Sequence, residues 1–389
     1  MLLLQLNKLY VPNNQYRMKI NSEKTWIIGL LFLISTQVFA LQDSTKEVSP
    51  FSFNASYIGD VVSNFDGGIK TGTNYLGKAN ISLGFDTKKA GWWTGGEFYT
   101  KLLNTHGNMP SVNLIGDFQT ASNIEAGNIT NLYELWYNQT LGKFDITVGL
   151  QDLNVNYVTT ENGGLFLNSS FGVYSVMSKN ITLPIFPLTA LGATIQWNVS
   201  KHFNWQVALF DGTPNSRNPY NTNCIISKKD GYLIVSEFQL AKSLVKGQEG
   251  TYKVGIYYHE QNYSVNEPHQ NDGIYFIADQ DINRRFSAFT QIGFSPNSIN
   301  KHNHFYSLGV NYKAFSNKRS EDKMGLAIAY AGIDDNNIRS ETAIELTYKL
   351  QMNENIYLQP DIQYIINPAG TEVKLNNALV GFLRFGLEF

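Results

Sequence analysis

The sequence predicts an all-β chain, a transmembrane antiparallel β-barrel of about sixteen strands with short turns on one rim and long loops on the other. Three observations predict it. The last residues, 379–389, alternate: Leu379, Gly381, Leu383, Phe385, Leu387 and Phe389 share one face of a strand, and Arg384, Gly386 and Glu388 share the other. Segments of the same two-residue period recur along the whole chain, in even number, with connections that alternate between brief and long. The chain is polar on average yet holds 22 Tyr, 24 Phe and 6 Trp, the mixture expected of a wet lumen and two aromatic girdles.

The N-terminus reads as an export signal. Lys19 and Lys24 precede an uncharged, mostly apolar run at 26–34, too short to span a bilayer, and Val38 and Ala40 stand where a cleavage site requires small residues. We assign 1–40 as a signal peptide, complete from Met18 onward, then a short leader at 41–50 and one barrel domain at 51–389. The signal carries Lys8, Arg17, Lys19 and Lys24 against Glu23, so its removal takes the formal net charge from −2 to −5. A mildly acidic exported chain is a poor partner for nucleic acid. The single cysteine, Cys224, can form neither an internal disulfide nor a cysteine-based zinc site, so stability must come from elsewhere, and a closed backbone ladder supplies it.

Alternation marks strands at 52–59, 74–85, 92–103, 131–140, 144–150, 189–198, 203–210, 232–240, 251–258, 273–280, 286–294, 305–312, 323–330, 341–351, 356–364 and 379–389. Connections at 87–91, 141–143, 199–202, 281–285 and 352–355 are brief, whereas those at 106–130, 151–188, 211–231, 259–272 and 365–378 are longer. A sandwich has no reason to segregate loop lengths this way; an outer-membrane barrel does. Facing sets agree: Phe144, Ile146, Val148 and Leu150 oppose Asp145, Thr147 and Gly149, and Ile344, Leu346, Tyr348 and Leu350 oppose Glu345, Thr347, Lys349 and Gln351. Charge on a lipid-facing wall costs about 2–4 kcal/mol at the midplane, so the charged faces are expected to look inward to water.

Ordered blocks along nearly the whole predicted barrel carry a resemblance. They include Tyr57-Ile-Gly-Asp60, Gly67-Gly-Ile-Lys70, Gly116-Asp-Phe-Gln119, Leu132-Tyr-Glu-Leu-Trp-Tyr137, Gly149-Leu-Gln-Asp-Leu-Asn154, Gly164-Leu-Phe-Leu-Asn-Ser-Ser-Phe-Gly172, Phe210-Asp-Gly-Thr-Pro214 and Leu358-Gln-Pro-Asp-Ile-Gln-Tyr364. In these the chain resembles the carbohydrate-selective outer-membrane porins. The resemblance implies a sixteen-stranded barrel of the Gram-negative outer membrane that passes small carbohydrates down their gradient, working as a monomer or homotrimer. Thr71 departs from it, standing where such proteins often have a second basic residue.

A pore selective for an uncharged polyol needs hydrogen-bonding groups around a constriction, with aromatic rings to stack on sugar faces. The segment 151–188 is the candidate constriction loop, carrying Asp152, Asn154 and Asn168 among Phe166, Phe171, Tyr174 and Phe186. Glu97, Glu134, Glu345, Asp361 and Arg384 are expected to face the lumen, and Lys70, Asp117 and Arg217, in matching regions, are candidate pore or sugar contacts. Phe389 is the expected signal to the outer-membrane barrel-assembly machinery. The alternatives at this point are a general small-solute channel and a closed barrel acting as a surface adhesin. No Gly-x-Ser-x-Gly elbow occurs, so an enzyme is disfavoured, and no cofactor is implied. His302 and His304 could share a metal, but without a third ligand the pair reads as incidental.

Overall fold

Alternating side chains make one face of each strand apolar enough for lipid, and only closure removes the unpaired edges that lipid cannot hydrate. The computed structural model describes residues 49–214, 230–264, 267–313, 319–334 and 340–389. The expected signal peptide, the leader up to Val48, Arg217 and Cys224 lie outside them.

Sixteen antiparallel strands close a barrel in sequence order. They are β1 (Phe51–Gly68), β2 (Gly72–Asp86), β3 (Gly96–Gly107), β4 (Ile129–Leu141), β5 (Phe144–Gln151), β6 (Ala190–Asn198), β7 (Phe203–Asp211), β8 (Tyr232–Ala241), β9 (Gly250–Ser264), β10 (Glu267–Asp281), β11 (Phe286–Phe294), β12 (His302–Lys313), β13 (Lys323–Ile333), β14 (Ser340–Gln351), β15 (Ile356–Ile366) and β16 (Asn376–Glu388). At the seam Asp60 of β1 is the register partner of Arg384 of β16. The Arg384 guanidinium donates to both Asp60 oxygens, at 2.7 and 2.8 Å, a bidentate pair that fixes closure from inside.

Three boundaries differ from the sequence reading. β1 runs on to Gly68, leaving a tight turn before β2 where a loop was expected. Trp92 and Trp93 belong to the turn before β3, stacked at 5.7 Å and exposed, because they join the aromatic girdle instead of the ladder. The long connection expected at 259–272 is mostly strand: β9 reaches Ser264 and β10 starts at Glu267, so this hairpin is simply taller than its neighbours.

The outer wall is as expected, with Leu135, Val148, Leu209, Ile256, Leu308, Leu326, Leu346 and Leu383 all exposed. The aromatic pairs Phe85–Trp92, Phe98–Tyr137, Trp197–Trp205 and Phe286–Tyr312 form a girdle on the short-turn side. The inner wall is not uniformly polar. Loop L3 (152–189) fills part of the barrel, and its Leu153, Phe166, Phe171, Tyr174, Val176 and Met177 pack with inward-facing Ala208, Phe210, Val235, Tyr275, Phe289 and Ala327. Loop L2 (108–128) adds a second cluster, Leu114, Ile115 and Ile124 against Val62, Val380 and Phe382. Where a loop covers the wall, water is excluded and the inward face becomes apolar. Two inward glycines show how close the approach is: a Cβ on Gly325 would lie 2.5 Å from the Phe166 ring, and one on Gly293 2.5 Å from the Tyr174 ring.

Candidate functional site

Irregular backbone inside a barrel carries amides and carbonyls that must be satisfied by the wall. The wall supplies both partners. Glu237 of β8 accepts the Val158 amide at 2.9 Å. Asp279 of β10 accepts the Thr160 hydroxyl at 2.7 Å and the Asn162 amide at 3.0 Å. Glu345 of β14 accepts the amides of Leu167 and Asn168 at 2.5 and 2.9 Å. In the other direction Gln291, Gln359 and Lys253 donate to the carbonyls of Gly172, Leu165 and Thr159 at 2.7–2.8 Å. Glu341, also on β14, accepts the amides of Phe118 and Gln119 in L2 and of Ala369 in the β15–β16 loop. L3 is thus held against β8–β15 and narrows the lumen toward the remaining wall.

What is left is a cavity of about 1030 Å³, at the upper end of the 300–1,000 Å³ typical of small-molecule sites. Three lysine–aromatic couples line it: Lys78 Nζ stands 5.2 Å from the Phe186 ring centre, Lys101 Nζ 5.2 Å from Tyr133, and Lys349 Nζ 3.9 Å from Tyr357. Asp152 faces the same space. It accepts from the Tyr133 hydroxyl and from the Asn154 amide, the latter at 2.8 Å. Burial pushes its carboxyl up to about 6, against the pull of the Tyr133 hydrogen bond. Glu125, on L2 and also on the lining, is pushed up to about 7 by burial and by neighbouring Asp117. Such a lining presents ring faces, ammonium donors and carboxylate or amide acceptors within one space, which is the chemistry a polyol requires.

Of the expected lumen residues, the structure brings Asp152, Asn154 and Arg384 onto the cavity lining. Glu134 is buried behind it, accepting from Lys101 at 3.3 Å and so orienting that ammonium. Glu345 and Asp361 point inward but are buried beneath the loop, not in water; this corrects the expectation that they form a pore field. Asn168 is likewise an anchor, its side chain donating to Gln363 at 3.3 Å. Asp117 is buried under L2, its carboxyl raised by burial and off the lining. Lys70 is exposed at the β1–β2 turn, and Glu97 is exposed toward the short-turn rim; neither lines the cavity. Phe166, Phe171 and Tyr174, expected as stacking rings, are packing residues, and only Phe186 of that group meets the cavity. Phe389 ends the outward row, 70% exposed and bonded through its backbone to Ala55.

Sequence reasoning missed Lys78, Lys101, Tyr133 and Tyr357, and placed Lys349 on an inward face without assigning it to the site. The signal was present, since a lysine inside an alternating membrane strand must face inward. His302 and His304 are separately engaged: His302 contacts Ser175 and the Gly332 carbonyl, and His304 the side chain of Asn303.

Residues 70–389 match the family described as "Carbohydrate-selective porin, OprB family". Porin B of Pseudomonas aeruginosa is 22% identical over 406 residues, covering 87% of each chain. The high-pH structure of Pseudomonas putida OprB superposes with a TM-score of 0.77 at 20% identity, covering 87% of this chain and 94% of that one. Its low-pH structure gives a TM-score of 0.59 at 19% identity, covering 93% and 97%. A mutant of Rh. blastica porin gives 0.51 at 14% identity, covering 87% and 100%.

Proposed function

Because this chain belongs to the carbohydrate-selective porin, OprB family, a family of outer-membrane channels, we propose that small neutral sugars cross its barrel passively through the cavity that L3 leaves inside the barrel. The protein is a β-barrel of the Gram-negative outer membrane, in which β1 starts and β16 ends on the short-turn rim.

The observation that carries this reading is the cavity lining. Phe186 offers a ring with Lys78 beside it, the buried Tyr133 reaches the lining with Lys101 over its ring, and Asp152 and Asn154 offer acceptors from the loop. A pyranose has an apolar face and a rim of hydroxyls, so stacking and hydrogen bonding are satisfied together at one site. We assign Lys78, Lys101, Tyr133, Asp152, Asn154, Phe186 and Arg384 to the pathway, with Glu134 positioning Lys101. No step in this reading is catalytic.

Two partners complete it. The barrel-assembly machinery would read β16 and its terminal Phe389. A homotrimer would cover the outward polar patch on β1–β4, where Tyr57 donates to His106 at 3.0 Å, His106 donates to Asn104 at 3.0 Å and Asn104 donates to Thr130 at 2.7 Å; cross-linking in native membranes tests that state.

The deciding experiment reconstitutes the protein in a planar bilayer and adds glucose. A steady conductance reduced by glucose in a saturable way supports the reading. A conductance indifferent to sugar would make it a general solute channel, and no conductance would make it a closed barrel.

A further inference from the structure

Strict alternation through 131–137 would put Asn131, Tyr133, Leu135 and Tyr137 on one face, and Leu135 does stand exposed on the outer wall. Asn131 and Tyr133 are buried instead. The register gives the reason: Lys101 of β3 pairs with Glu134, and the next residue, Leu102, pairs with Leu132, so Tyr133 is the extra residue of a β-bulge in β4. A bulge re-aims side chains. Here it turns two consecutive residues toward the lumen: Glu134 accepts from Lys101 at 3.3 Å, and the same ammonium stands 5.2 Å from the centre of the Tyr133 ring. The bulged residue also holds both ends of L3. Its hydroxyl donates at 2.5 Å to Asp152 Oδ2, on the first residue of the loop, and its carbonyl accepts from the hydroxyl of Thr189, the last. Next to it the Asn131 side chain donates to the Pro187 carbonyl at 3.1 Å, and the Leu153 amide donates to the Pro184 carbonyl at 2.8 Å, tying the two ends to each other. Phe186 sits in this neck and shares the cavity lining with Asp152.

We propose that Tyr133 is the positioning residue of the sugar pathway: through the β4 bulge it clasps the two ends of L3, so that the Asp152 carboxylate and the Phe186 ring meet a passing sugar at a fixed spacing. The inference rests on the sugar-channel reading above and deepens it. The body of the loop is held by Glu237, Asp279 and Glu345, which face other parts of L3. Its neck, where an acceptor and a ring stand together, is held from β4. A carboxylate left to rotate freely offers sugar hydroxyls no defined geometry, whereas one fixed by a hydroxyl donor keeps its second oxygen aimed, and such preorganisation adds affinity without a new contact.

The test measures glucose block of the purified full barrel in a planar bilayer over a series of pH values. Tyr133→Phe keeps the ring and removes one hydroxyl, and in barrels that remain heat-modifiable it should raise the glucose concentration for half block by about tenfold. The pH profile separates positioning from packing. Burial holds the Asp152 carboxyl at about 6 against the pull of the Tyr133 bond, so native block should weaken as pH falls through that value. Without the hydroxyl the midpoint should move up by about one pH unit. The other charges that face Asp152, Glu134 on β4, Lys101 on β3 and Lys78 on β2, are the same in both proteins. Asp152→Asn, which still accepts from Tyr133 but cannot titrate, should flatten the profile, and adding Tyr133→Phe to it should produce no midpoint. Native block with a native midpoint in Tyr133→Phe would overturn the proposal, and so would weakened block with an unmoved midpoint. Should Tyr133→Phe fail to close, Thr189→Val cuts the other clasp bond and leaves the hydroxyl in place; it should weaken glucose block several-fold, and unchanged block there would overturn the proposal as well. Absence of glucose block in the native protein would instead remove the sugar-channel reading on which it rests.

Discussion

Glu345 and Asn168 are 177 residues apart in sequence, yet the Asn168 amide donates to Glu345 Oε2 at 2.9 Å, while the adjacent Leu167 amide occupies Oε1. A wall carboxylate is here an anchor for a loop, not a pore charge. Removing it strands two buried amides, each at a cost of about 1–3 kcal/mol. Glu345→Ala should therefore lower the urea midpoint of the barrel in micelles and give a larger, noisier single-channel current as L3 loosens. Glu345→Arg should be worse still, since it buries a charge against two donors. A quiet channel of native stability in either variant would show that L3 is held by other contacts.

The neighbouring residue tests the opposite face. Leu346 is 39% exposed on the outer wall, whereas Glu345 is 0% exposed. Leu346→Arg should destabilise the barrel by about 2–4 kcal/mol if it lies near the midplane, with little change in the conductance of the molecules that still fold. Altered conductance at unchanged stability would mean the β14 register is off by one.

How much of this was legible in the sequence follows from which forces set each feature. The outward faces were readable because lipid imposes one rule on every strand, so alternation in 144–150 or 341–351 fixes the register. The infolding of 151–188 was readable from its length. The division of labour along the inner wall was not. Glu345 and Lys349 share one face of one strand, yet the first is sealed beneath L3 and the second meets the cavity. What separates them is where a loop far away in sequence comes to rest. The apolar content of that loop, Leu153, Phe166, Phe171 and Met177, was the overlooked sign: such residues in an exported loop need a wall to cover them.

Acidity should change the cavity. Asp152 and Glu125 both line it, with carboxyls pushed up to about 6 and about 7. Both lie above the ordinary carboxylate range near 4, so each loses its negative charge as pH falls through its own value. Between about pH 8 and pH 5 the permeability ratio should shift toward anions, and the double variant Asp152→Asn/Glu125→Gln should lose most of that shift. Zero-current potentials across a fixed salt gradient at a series of pH values measure it; a native protein with a flat profile would contradict the burial of these two groups.

The end of the chain governs assembly. Phe389 closes the outward row of β16, and its amide donates to the Ala55 carbonyl at 2.8 Å. Phe389→Ser or its deletion should reduce the amount of heat-modifiable, folded barrel recovered from outer membranes. Equal amounts of folded protein in semi-native gels would remove Phe389 from that role.

L3, folded inward and held by Glu237, Asp279 and Glu345, is the proposed sugar-selective constriction. The most direct measurement is the single-channel current, with and without glucose, of a variant lacking about ten residues around 164–171, with heat-modifiability showing that the barrel still closes. A higher conductance and loss of glucose block are expected. A folded deletion variant with the native current and native glucose block would contradict it.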